Sequence, residues 1–310
     1  MNDRTRKGNR IRLIRRAPLQ GVFRGKGQKD MKKDPPDILR GAFSRRPVDA
    51  NKRSVGTVTV VGGSVRYAHA PVIAGLGARA AGAGLVQLVV PGASRIAAGA
   101  LLPEATFTRL AAAVVPPKAD VAVVGMGLGV SEFSDIVVSR LLSAAEGRFV
   151  VDADALSLLA LRYGRMGGCG LSKGLEIVMT PHEGEAARLL GCDVERVQRN
   201  RLAAARGIAS RYGATVVLKG PGTIVVSSDG SRVYRNSTGN PFMAMGGMGD
   251  LLAGVIGARW AYLKGDPFVA AASSAWLHGA ASDSLVEEAA DPSLAQTAAR
   301  NGSLRVALER

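Results

Sequence analysis

From Thr57 to Leu218 the chain repeats one pattern: a short run of β-branched or aliphatic residues, a glycine-rich turn, then an alanine-rich stretch that favours helix. The runs at 57–61 (TVTVV), 85–90 (LVQLVV), 121–124 (VAVV), 149–152 (FVVD), 176–179 (EIVM) and 215–218 (TVVL) are apolar at nearly every position rather than at every second one. Strands buried on both faces read this way, and a parallel sheet with crossover helices buries its strands so. Helices are predicted in the gaps, specifically at 71–83, 184–190, 199–211, 250–263 and 267–289. Strands at 223–227 and 232–235 flank Ser-Asp-Gly, a turn sequence, and predict a hairpin after the parallel units. No repeat, long linker or low-complexity stretch divides residues 54–310, so a single α/β domain is expected there.

Composition agrees with that pattern. Aromatic residues are only 5% against 47% hydrophobic, which suits a close-packed α/β core with many tight turns. No apolar run reaches the roughly 18 residues that span a bilayer, so no membrane partner is expected. The net charge of +16 suggests nucleic acid until it is located: residues 1–53 hold 17 Lys and Arg against 5 Asp and Glu, and the rest holds 24 against 20. The fold is therefore nearly balanced. Residues 1–53 are expected to be a basic, disordered extension, or upstream sequence with Met31 as the true start. Such an arm contacts RNA, DNA or anionic lipid through phosphates without sequence preference, and no function is rested on it. Cys169 and Cys192 fit neither a metal-ligand nor a Cys-x-x-Cys pattern, so no metal site is predicted and a reducing cytoplasm is expected.

Candidate chemistry gathers at predicted strand ends, the edge where open α/β sheets bind ligands. Gly62-Gly63-Ser64 leads through Tyr67 and Ala70-Pro71 into a helix. Gly125-Met126-Gly127-Leu128-Gly129 lacks the spacing of the dinucleotide fingerprint, which argues against a Rossmann dehydrogenase. Asp152-Ala153-Asp154 and Thr180-Pro181-His182-Glu183-Gly184-Glu185 end successive strands and so face one crevice. Glu183 and Glu185 suit the positive end of a helix dipole, whereas His182 at a strand exit is read as functional. Lys219-Gly220-Pro221-Gly222-Thr223 offers glycines for close nucleotide approach, a cation for phosphate and a hydroxyl, without being a P-loop. Gly246-Gly247-Met248-Gly249-Asp250 opens a long apolar helix, and free amides there form a pocket for a migrating phosphoryl group. Asp250 then has two readings: a helix cap, or a base that takes a proton from the attacking hydroxyl.

Taken in order, VVGGSxxYxxAP, GAGLV, VVGMGLG, VDADAL, TPHEGE, VVLKGPGT and NSTGNPFMAMGGMGDLLAG resemble the ADP- or ATP-dependent NAD(P)H-hydrate dehydratase family, a ribokinase-like branch, from about Gly56 to His278. The resemblance implies a three-layer α/β/α sandwich with a mostly parallel central sheet. It implies nucleotide contacts at Lys219, Gly220, Pro221, Gly222, Thr223 and Gly249, with Mg²⁺ on the phosphates. It further implies contacts of hydrated NADH or NADPH with Ala70, Gly127, His182 and Asp250, the last as catalytic base. In that family the hydroxyl of the hydrate is phosphorylated by ADP or ATP, and loss of phosphate restores the dihydropyridine. Two positions depart from the family pattern: His69 stands where a glycine is usual, and Met248 where Thr or Ser is usual.

The epimerase that interconverts the hydrate stereoisomers is often fused to this domain. About 55 residues precede the fold here, so the epimerase is expected on a separate protein, and a homo-oligomer is expected from the family's habit. The rival reading is another ribokinase-like kinase, of thiazole or hydroxymethylpyrimidine type, using the same Asp250.

Overall fold

The computed structural model describes residues 35–43, 46–112, 118–163, 171 and 174–288. In chain order these form α1 (Lys52–Val55), β1 (Thr57–Val61), α2 (Ala70–Ala80), β2 (Leu85–Val90), α3 (Gly92–Leu101), β3 (Thr106–Arg109), β4 (Val121–Val124) and α4 (Glu132–Leu142). They continue through β5 (Gly147–Val151), α5 (Asp154–Tyr163), β6 (Leu175–Met179), α6 (Glu183–Leu190), α7 (Val194–Arg199), α8 (Arg201–Tyr212) and β7 (Thr215–Leu218). Last come β8 (Ile224–Val226), β9 (Val233–Arg235), α9 (Met248–Leu263) and α10 (Pro267–Glu288).

The strands form one sheet in the order β3-β2-β1-β4-β5-β6-β7-β8-β9. All pairs from β3 to β7 are parallel, and β8 and β9 close the edge as the expected antiparallel hairpin. Alternation within each strand splits the core in two. Val61, Val124 and Val151 pack with Val137, Leu156, Ala186 and Ala205 of α4, α5, α6 and α8. Their neighbours Val60, Val123 and Val150 pack on the other face with Val72, Leu252 and Phe268 of α2, α9 and α10. Helices thus cover both faces, which is the three-layer sandwich the family resemblance implied.

The order reverses between β1 and β4, so their carboxyl ends flank a topological switch point, where such sheets leave a crevice. Helix α9 is held tightly beside it. A Cβ on Gly77 of α2 would lie 2.3 Å from the Leu251 carbonyl, and one on Gly254 of α9 would lie 1.9 Å from that of Ala74. Only hydrogen at both positions lets the two backbones touch, and this fixes where the first turn of α9 sits.

One expectation is corrected. The irregular segment expected through residue 53 does not hold for Asp37–Phe43, a 3-10 helix in which Leu39 is fully buried and Phe43 packs edge-on against Trp276 at 5.2 Å. The folded unit therefore begins by Pro35, while residues 1–34, with Met31, lie outside the described residues. The helix expected over 199–211 is α8, Arg201–Tyr212, which starts where the Asn200 side chain accepts a hydrogen bond from the Ala203 amide, while Arg199 ends the preceding α7. Strand β3 and the boundaries of α3, α4 and α5 were not read from the sequence. Cys169 lies outside the described residues, and Cys192 is a free thiol.

Candidate active site

The first turn of α9 is open. Gly247 is its N-cap at φ 92° with no side-chain cap, and a Cβ there would press on Ile73 at 2.9 Å. The amides of Gly249 and Asp250 meet no protein acceptor among the described residues. The loop before it is pinned to α10: Asn236 Nδ2 donates to the Ala275 carbonyl, Thr238 Oγ1 to that of Trp276, and the Gly239 amide to Asp283. Asp250 is the third residue of the helix and accepts no capping hydrogen bond, so the cap reading is excluded. Burial, reinforced by the nearby Asp152 carboxylate and opposed by Lys219, pushes its carboxyl up to about 7.

Lys219 faces this turn. A Cβ on Gly249 would stand 3.2 Å from Lys219 Nζ, so a glycine is what leaves the ammonium its place. Nζ is 2.7 Å from Asp152 Oδ1 and 3.8 Å from Glu185 Oε2. Burial alone would lower the ammonium, but Asp152 and Glu185 outweigh it and hold Lys219 charged. The Lys219 amide donates to the Pro181 carbonyl at 2.8 Å, tying the exits of β6 and β7 together. Between the two aspartates Ala153 sits at φ 51°, a left-handed conformation that costs energy for any residue with a Cβ. That kink sends the buried Asp152 to Lys219 and Asp154 to the Gly129 amide, 2.8 Å away.

The turn from Lys219 to Thr223 is a shaped backbone surface. Gly220 at φ 133° and Gly222 at φ 60° supply conformations other residues resist, and Thr223 Oγ1 donates back to the Gly220 carbonyl. Arg201, which sequence reasoning missed, donates to the carbonyls of Leu218, Lys219 and Pro221.

His182 is the N-cap of α6. Its Nδ1 accepts from the amides of Gly184 and Glu185, and Glu185 Oε2 accepts from the His182 amide at 2.8 Å, completing a capping box. Those bonds place the ring proton on Nε2, which lies 3.4 Å from Glu185 Oε1, and the His182 side chain as a whole is 54% exposed. Burial, Lys219 and Arg188 hold the imidazole below its usual range, so it is neutral at pH 7. Glu185 is buried and pushed up to about 7, chiefly by that burial. Glu183 pairs instead with Arg201 at 3.2 Å.

Gly127 at φ 67° lies against Tyr67 and Ala70; a Cβ there would be 2.7 Å from Tyr67 Cβ and 3.0 Å from Ala70 Cβ. This joins the β4 exit to the start of α2 on the far side of the switch point. His69 caps α2 through its backbone only and is exposed, and Met248 turns into the apolar cluster of Ala80, Val255 and Leu285.

Among the described residues no group of three or more His, Cys, Asp or Glu is placed to hold a metal ion. A Mg²⁺ ion carried on nucleotide phosphates fits nonetheless, since it takes phosphate oxygens and water and needs only one or two carboxylates. Asp152 and Glu185, 2.7 and 3.8 Å from Lys219 Nζ, are the carboxylates beside Lys219 that would hold the ion. Arrayed along one edge, free helix amides, an ammonium, a glycine turn and an unpaired carboxylate suit transfer of a phosphoryl group to a hydroxyl.

The profile of a family described as NAD(P)H-hydrate dehydratase matches residues 58–302. An ADP-dependent (S)-NAD(P)H-hydrate dehydratase of Neisseria meningitidis is 40% identical over 255 residues, covering 80% of this chain and 83% of that protein. The bifunctional NAD(P)H-hydrate repair enzyme of Escherichia coli is 36% identical over 244 residues, and the match takes in 78% of this chain but 45% of that protein. The chain thus spans about half the length of the bifunctional relatives it matches. Among solved structures, the ADP/ATP-dependent NAD(P)H-hydrate dehydratase of Bacillus subtilis, co-crystallised with ATP and Mg²⁺, is similar with a TM-score of 0.74 and 28% identity, over 87% of this chain and 93% of that one.

Proposed function

Because the chain belongs to the NAD(P)H-hydrate dehydratase family, we propose that it dehydrates the S form of hydrated NADH and NADPH at the expense of ADP or ATP, with Asp250 as base. The hydroxyl of the hydrate gives its proton to Asp250 while its oxygen bonds to the terminal phosphorus of the nucleotide. The bond to the leaving phosphate oxygen breaks, releasing AMP from ADP or ADP from ATP. The carbon–oxygen bond of the phosphorylated hydrate then breaks, phosphate departs, and loss of a ring proton restores the dihydropyridine double bond. Mg²⁺, when bound, neutralises the phosphate oxygens.

Within that scheme the amides of Gly249 and Asp250 receive the negative charge on the transferring group. Lys219 and the turn from Gly220 through Pro221 and Gly222 to Thr223 hold the nucleotide, while Ala70, Gly127 and the exposed part of the His182 ring face the hydrate. The carrying observation is the carboxyl of Asp250: it stands at an open helix entrance without a cap role and is raised to about 7, where a general base works best.

We further propose that the protein works in the cytoplasm, takes the S hydrate that an epimerase activity supplies, and assembles as a homo-oligomer. Among the described residues no helix is long and apolar enough to cross a membrane. Incubation with hydrated NADH, Mg²⁺ and ADP or ATP, followed by the absorbance of NADH, tests the reaction. Recovery dependent on nucleotide is expected; no recovery together with phosphorylation of a thiazole or pyrimidine alcohol would establish the kinase instead.

A further inference from the structure

We infer that Arg201 is a positioning residue that presets the Lys219–Thr223 turn for nucleotide phosphate, an inference that rests on the nucleotide reading of that turn. The sequence places it there by a cap: Asn200 starts α8, and the next side chain leaves toward the exit of β7. Its guanidinium takes three carbonyls of one turn, those of Leu218 at 3.2 Å, Lys219 at 3.0 Å and Pro221. A Cβ on Gly220 would stand 2.9 Å from the guanidinium, so Gly220 is also what lets it approach.

A trans peptide points its N–H opposite to its C=O. Holding the Lys219 and Pro221 carbonyls toward Arg201 therefore aims the amides of Gly220 and Gly222 the other way. Neither amide has a protein acceptor among the described residues. Two donors are left oriented and unspent on a turn that flanks Lys219, which is the arrangement a phosphate takes. Lysine could not do this, because a point charge on a flexible stem cannot fork to three carbonyls. Glu183 completes the device. Its Oε1 lies 3.2 Å from Arg201 Nε without a well-aligned hydrogen bond, and its Oε2 accepts from Gln198 at 2.9 Å. The carboxylate anchors the guanidinium from behind and offsets its charge, so the turn offers oriented dipoles rather than a mobile cation.

The test compares wild type with Arg201→Lys in steady-state kinetics, varying ADP and the hydrate separately, with thermal unfolding alongside. The expected result is an ADP KM raised about tenfold or more, with the hydrate KM and the kcat at saturating ADP within about threefold of wild type. An unchanged ADP KM, or an equal loss in both KM values and kcat, would overturn the inference, whatever the unfolding midpoint does. If Arg201→Lys fails to fold, Glu183→Gln decides: an ADP KM raised about two- to threefold alone supports the device, and no change removes it. Wild type that binds neither ADP nor ATP and restores NADH with neither would bring down the dehydratase reading and this inference with it. Wild-type activity with an indifferent Arg201→Lys brings down the inference only.

Discussion

Two helices, α6 and α9, begin at the same carboxyl edge of the sheet, and their entrances are finished in opposite ways. At α6 the donors are satisfied: His182 accepts two amides and Glu185 answers the His182 amide. At α9 a left-handed glycine replaces the cap, the amides of Gly249 and Asp250 are left without protein acceptors, and Asp250 has no capping bond. A cap contributes about 1 kcal/mol to a helix, so leaving one out costs stability. Of these two entrances only that of α9 carries the cost, and there the molecule keeps a carboxyl raised to about 7 beside the largely buried ammonium of Lys219. An entrance that is complete in itself serves the fold; one left incomplete has donors to spend on a ligand.

Breaking the open entrance should have the largest effect. Asp250→Asn keeps the shape and removes the base, so turnover of hydrated NADH should fall by about 10³-fold or more. Its stability should move the other way. A carboxyl whose folded pKa is raised makes its charged form a cost to the fold at pH above about 7, and that cost fades as pH falls toward its unfolded value. The variant should therefore unfold at a higher temperature than wild type at pH 8, with the gap closing toward pH 4. Equal melting curves across that range would contradict the burial of the charge.

Gly249→Ala tests the space between the two elements. Its Cβ would press on Lys219 Nζ from 3.2 Å, so kcat/KM should drop about ten- to a hundredfold while the helix gains up to about 1 kcal/mol. A helix that is more stable and slower sharpens the contrast; one that is both less stable and slower would make Gly249 a fold residue. At the closed entrance the effect is smaller and structural. His182→Asn can retain the cap and His182→Ala cannot, so the alanine variant should be less stable by about 1 kcal/mol in denaturant unfolding. Identical midpoints would mean that the capping box adds nothing.

Sequence patterning located the parallel strands because burial on both faces leaves unbroken apolar runs, as at Val121–Val124. It missed β3 because an exposed edge strand such as Thr106–Arg109 shows no such run. The 3-10 helix at Asp37–Phe43 was hidden by charge: Leu39 is a fully buried anchor inside a segment whose composition reads as solvated. Site motifs were legible as strand-end clusters, and both Asp250 and the glycine turn are where they were expected. The partners of each side chain were not. Lys219 meets Asp152 across 67 residues of chain, and Arg201 reaches its carbonyls across 17 to 20, contacts set by strand order that no local spacing reveals. His182 was read as functional because a histidine at a strand exit has nothing apolar to bury it; the geometry adds that the same ring caps α6, a structural role beside the proposed contact with the hydrate.

The pH dependence of the single-turnover rate, wild type beside Asp250→Asn, tests the central claim most directly. Asp250 acts as base only when ionised, so the wild-type rate should fall about tenfold per pH unit below about 7, a limb belonging to the neighbouring carboxyls of Asp250 and Glu185 together. The variant should be slow throughout and lack that limb. A variant that turns over within about tenfold of wild type and keeps the same limb would show that another group removes the proton.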